Sequence, residues 1–112
     1  MSYYTNVNSK KGTLNLSDYI FNQLASETLE DLASHELKDS ISLKLARSRK
    51  NVVTTIDKNK VTIDVYFSAL RNSDVNKAVS VIQQEIYDAV YEATEISTVK
   101  VNVSVVSFVD NK

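Results

Sequence analysis

The chain has 112 residues, 43% of them hydrophobic, with 13 Lys and Arg against 14 Asp and Glu and a formal net charge of −1. That length supports one hydrophobic core and one domain, and the charge balance lacks the basic footprint that dominates nucleic-acid affinity. With no cysteine, no proline and a single glycine, disulfide frameworks, thiolate metal sites and glycine-rich phosphate cradles are excluded.

Residues 1–11 are polar, carry no apolar signal-peptide core, and read as a flexible lead-in. A single domain is expected over 12–109, with a polar tail at 110–112. Gly12 opens the alternating stretch Thr13-Leu14-Asn15-Leu16, which suits an edge strand with Leu14 and Leu16 inward. Ser17 or Asp18 follows as a helix N-cap. From Tyr19 to Ala33 one helical face collects Ile20, Phe21, Leu24, Ala25, Thr28, Leu29 and Leu32.

Residues 34–50 are ambiguous. Leu37, Ile41 and Leu45 fit a helical stripe, whereas Ile41-Ser42-Leu43-Lys44-Leu45 alternates as a strand does, and the strand is preferred. Arg47, Arg49 and Lys50 then form a small basic cluster. It reads either as an anionic contact for lipid or phosphate, or as a solvated loop balancing acidic helix faces.

Residues 51–70 read as a hairpin. Val52, Thr54 and Ile56 lead into Asp57-Lys58-Asn59-Lys60, where Asn59 suits the left-handed turn position, and Val61, Ile63, Val65 and Phe67 return on the inward face. Thr62, Asp64, Tyr66 and Ser68 point the other way. After a cap at Asn72, Ser73 or Asp74, a long helix places Val75, Ala78, Val79, Ile82, Ile86, Ala89, Val90 and Ala93 in one stripe. Lys77, Gln84, Glu85, Asp88, Glu92 and Glu95 lie opposite. Val99, Val101, Val103 and Val105 then alternate with Lys100, Asn102 and Ser104, giving a strand with one dry face.

Amphipathic helices and one-sided strands in this order predict an α+β, two-layer sandwich, with two main helices on one face of a small, largely antiparallel sheet. The other sheet face, with Asp64, Tyr66, Lys100, Asn102 and Ser104, is expected to meet water or a partner. Asp64 is the most unusual residue on it, an acid inside a β-branched strand, expected to face solvent or pair with Lys100. Tyr87 and Tyr91, one turn apart at the border of the apolar stripe, combine an apolar body with a polar tip and suit a protein contact. Partial burial at the rim of the core is the plainer alternative.

No catalytic, cofactor or metal residues are assigned. His35 is the single histidine, with Glu36 and Asp39 nearby in sequence, and reads as a surface or helix-end residue. No apolar run approaches the roughly 20 residues that span a bilayer. A cytoplasmic protein is therefore the expectation.

Three segments together resemble the alkaline shock protein family, the envelope stress response proteins of Gram-positive bacteria and their relatives. They are Gly12 to Asp18 running into Ile20 and Leu24-Ala25; Val61-Thr62-Ile63-Asp64-Val65-Tyr66; and Val75 through Ile82-Gln83, Ile86, Ala89-Val90 and Thr94 to Val101-Asn102-Val103-Ser104-Val105. Glu95 stands where the family usually has glycine, the glycines common in the family's middle segment are missing from Ser34 to Lys50, and Tyr87 and Tyr91 replace positions usually charged. The resemblance implies a non-enzymatic cytoplasmic protein, peripheral at the inner membrane face. It would associate with itself or with a membrane-anchored relative, without a small-molecule substrate. A small KH-like RNA-binding module is the alternative, and a small enzyme would need a deep pocket that the sequence does not announce.

Overall fold

A computed structural model describes residues 4–9, 12–45, 49–58 and 60–110. In chain order the elements are β1 (Tyr4–Ser9), β2 (Gly12–Ser17), α1 (Asp18–Ser34), β3 (Ile41–Ser42), β4 (Val52–Asp57), β5 (Lys60–Leu70), α2 (Val75–Thr94) and β6 (Val99–Val109). The two helices pack on one face of the sheet that contains β3 to β6, an α+β arrangement with helices in one layer and strands in the other.

Strand β5 is the axis of that sheet. On one edge it pairs antiparallel with β4, from Val52 opposite Val65 to Asp57 opposite Lys60, and further along with the short β3, Ile41 opposite Ala69. On its other edge β5 pairs parallel with β6, from Val61 opposite Val99 to Leu70 opposite Val109. Parallel neighbours need a crossover, and α2 supplies it. The register slips once: Phe67 faces Val105 and Ser68 faces Ser107, so Val106 is an extra residue, a bulge in β6.

The period-two pattern of β5 explains its placement. Val61, Ile63, Val65, Phe67 and Ala69 are buried under the helices, where they meet Phe21, Ala25, Leu29 and Leu32 of α1 and Ala78, Ile82, Ile86 and Val90 of α2. Burying each large member of this set is worth about 1.5–3 kcal/mol. The core therefore outweighs any one contact on the opposite, wetter face. Ile20 and Ala93, expected in the helical stripes, are exposed at their margins.

Helix α2 begins at Asp74, whose Oδ1 accepts the Lys77 amide at 3.1 Å, and ends at Glu95, in the left-handed region at φ 61°. The Glu95 amide donates to Tyr91 O at 2.7 Å, the backbone closure usual at a helix C-terminus. Glycine takes that conformation at least cost.

Two expectations are revised. Tyr4–Ser9, read as part of the lead-in, forms a strand against Gly12–Ser17; the pairing is made by backbone groups, which a run of polar side chains does not advertise. In the middle segment, turns occupy 35–40 and the strand shrinks to Ile41–Ser42, with Leu37 and Ile41 supplying its buried residues. In the β4–β5 turn Lys58 has a positive φ; Asn59, expected at the left-handed position, lies outside the described residues.

Candidate partner surface on the open sheet face

The face of the sheet away from the helices is built by alternation. Directly opposed residues share a face, so Val53 and Thr55 of β4, Thr62, Asp64 and Tyr66 of β5, and Lys100, Asn102 and Ser104 of β6 form one array. At its centre Asn102 Nδ2 donates to Asp64 Oδ1 at 3.0 Å. The expected Asp64–Lys100 pair is not formed, because Lys100 faces Thr62. A shift of two residues would keep every valine on the dry face, so the apolar pattern leaves Lys100 and Asn102 equally eligible.

Arg49 and Tyr66 meet on the same face: the guanidinium carbon lies 4.7 Å from the Tyr66 ring centroid. That contact is worth about 0.5–1 kcal/mol at an exposed site, and it turns an isolated aromatic into a cationic platform. Lys50 is exposed beside it in sequence, and Arg47 lies outside the described residues. Val53 is 41% exposed next to this polar centre. The array thus combines a fixed acid–amide pair, a cation on an aromatic ring and a bare aliphatic side chain.

Asn51 holds the edge on which this face is built. It stands where the edge of β5 passes from β3 to β4, donating from Nδ2 to Leu43 O at 2.9 Å and Tyr66 O at 3.0 Å. Its own carbonyl accepts the Tyr66 amide at 2.7 Å. One side chain therefore satisfies backbone groups that the interrupted ladder would orphan. Further along, Ser68, expected to face outward, is buried. It donates to Lys44 O at 3.2 Å, so the hydroxyl hydrogen in its 2.7 Å contact with Ser107 comes from Ser107.

Tyr87 and Tyr91 stack in parallel, ring centroids 6.5 Å apart. Tyr87 is half-buried and its hydroxyl donates to Ser97 O at 3.0 Å, tying α2 to the loop before β6. Tyr91 is 38% exposed. Tyr87 thus belongs to the rim of the core, and Tyr91 is the member free to meet a partner. One turn before Tyr87, Gln83 Nε2 donates to Val101 O at 2.8 Å. A shallow groove of about 370 Å³ follows this junction, lined by Gln83, Gln84 and Tyr87 on one side and Val99 to Asn102 on the other.

His35 sits just past the end of α1, exposed, with Nδ1 3.0 Å from Asp31 O and 3.2 Å from Asp31 Oδ1. Among the described residues no group of three or more His, Cys, Asp and Glu side chains is placed to hold a metal ion. Asn51 and Gln83 escaped sequence reading because an amide's role depends on which carbonyls the fold brings to it. Val53 is exposed but carries no polar signal that sequence reading could find.

No protein-family model and no curated protein matches the sequence. Among solved structures the chain is similar to an OsmC-like protein from Mycoplasma pneumoniae. The identity is 13% over 97% of this chain and 98% of that one, with a TM-score of 0.45. A likeness of that size carries no argument about function.

Proposed function

We propose that this chain is a non-enzymatic adaptor domain, of the kind the alkaline shock protein resemblance implies. It acts in envelope stress or homeostasis by associating with itself, with a membrane-anchored relative, or with both, at the cytoplasmic face of the membrane. The observation that carries the reading is the open sheet face, where the Asp64–Asn102 bond and the Arg49–Tyr66 contact fix polar groups around exposed Val53. Prearranged polar groups beside apolar surface suit a protein interface, since less side-chain freedom is lost on binding. Among the described residues no helix is long and apolar enough to cross a membrane, and in this proposal proximity to the membrane comes from the partner.

The test is affinity capture of the full chain from crosslinked cells, repeated with Tyr66→Ala and Asn102→Leu. Recovery of a membrane-anchored protein by the wild type, reduced several-fold in both variants, supports the proposal. A chain that captures no membrane protein and sediments as a strict monomer sinks it.

A further inference from the structure

Strand β6 has one edge on β5; among the described residues the other edge has no strand partner. That edge is 11 residues long and reads VKVNVSVVSFV, with Lys100 as its one charge and no proline. Exposed edges are normally protected by charges, proline, shortness or a covering element. Here Lys100, the bulge at Val106 and the Gln83 amide on Val101 O are the protection present. The regular stretch before the bulge, Val99 to Val105, carries two of these three and is otherwise valine and small polar residues.

We propose that this edge receives a second copy of the same chain, β6 pairing antiparallel with its twin about a two-fold axis at Asn102. The proposal gives a surface to the self-association in the reading above and rests on it. The choice of a second copy follows from self-complementarity. Pairing about Asn102 sets Val101 against Val103 and Val99 against Val105 on the helix side, and Lys100 against Ser104 on the open side. All seven positions then match in polarity, and no like charges face each other. Asn102 meets its own copy. Its Nδ2 gives one hydrogen to Asp64, which leaves the second hydrogen and Oδ1 for a reciprocal amide pair. The groove lined by Gln83, Gln84 and Tyr87 runs beside Val99 to Asn102 and has room for the incoming strand's side chains. An isologous contact of this kind closes as a dimer.

The register makes the test specific. Ser104 is exposed, so charges placed there leave the core untouched. In a two-fold dimer Ser104→Lys opposes Lys100 of the partner subunit twice, and Ser104→Glu pairs with it twice. Sedimentation equilibrium of the full-length chain is expected to show a dimer. Ser104→Lys should weaken it about 3- to 10-fold, Ser104→Glu should strengthen it by a similar factor, and the double variant Lys100→Glu with Ser104→Lys should restore it. Circular dichroism and thermal melts confirm that each variant is folded. A chain that stays monomeric near 1 mM, or variants that shift association in the same direction, would overturn the proposal. Capture of a membrane protein by a strictly monomeric chain would overturn it too, while leaving the adaptor reading intact; a dimer with the expected charge response and no membrane partner would support it and count against the adaptor role.

Discussion

Asn102 and Asp64, 38 residues apart in sequence, are held side by side on parallel strands by a 3.0 Å hydrogen bond on the open face of the sheet. The two helices lie on the other face, so neither residue contributes to the core. Asn102→Leu is expected to change unfolding free energy by less than about 1 kcal/mol, because the freed carboxylate can be hydrated. It should still weaken partner capture several-fold. Chemical denaturation alongside the capture assay separates the two effects, and a loss of stability above about 3 kcal/mol would show the pair to be structural.

Glu95 closes α2 in the left-handed region. A non-glycine residue pays about 1 kcal/mol there, and Glu95 Oε1 is buried without a partner among the described residues. Glu95→Gly removes both costs, at the price of a more flexible unfolded chain. The expected net is a stabilisation of about 0.5–1 kcal/mol, read as a rise in melting temperature of roughly 2–6 °C. A fall in melting temperature would mean that the carboxylate makes a compensating contact.

Asn51 bridges the break between β3 and β4 through Leu43 O and Tyr66 O. Asn51→Ala leaves both half-buried carbonyls unpaired and should cost about 1–3 kcal/mol. Hydrogen exchange should then accelerate at the Tyr66 amide, which donates to the Asn51 carbonyl. Unchanged exchange there would indicate that the backbone pairing holds without the side chain.

Asp74 caps α2 through the Lys77 amide. Asp74→Ala is expected to lower stability by about 1 kcal/mol, whereas Asp74→Ser should lose only a few tenths. Urea denaturation of the two variants checks the order.

The elements that were legible in the sequence are those whose burial follows a strict period. The stripe of Ala78, Ile82, Ile86 and Val90 and the alternation of Val61, Ile63, Val65 and Phe67 both describe faces the structure buries. Glu95 was legible only as one more charge opposite the stripe of α2, and its positive φ depends on how the helix ends. What stayed hidden depends on partners distant in sequence. Asn51 reaches Leu43 and Tyr66, Ser68 meets Lys44 and Ser107, and β1 is fixed by backbone pairing to β2. The same limit applies to the open face: Asp64 was visible as an anomaly, but its partner depended on a register that the valine pattern leaves free by two residues.

In the proposed function the open sheet face, and not the helix layer, meets the protein partner. A photo-crosslinking amino acid placed at Tyr66, and in a second protein at Asp88 on the exposed face of α2, tests this directly in cells. The expected result is an adduct with a membrane-anchored protein from position 66 and none from position 88. Adducts from position 88 alone, or from neither position, would contradict it.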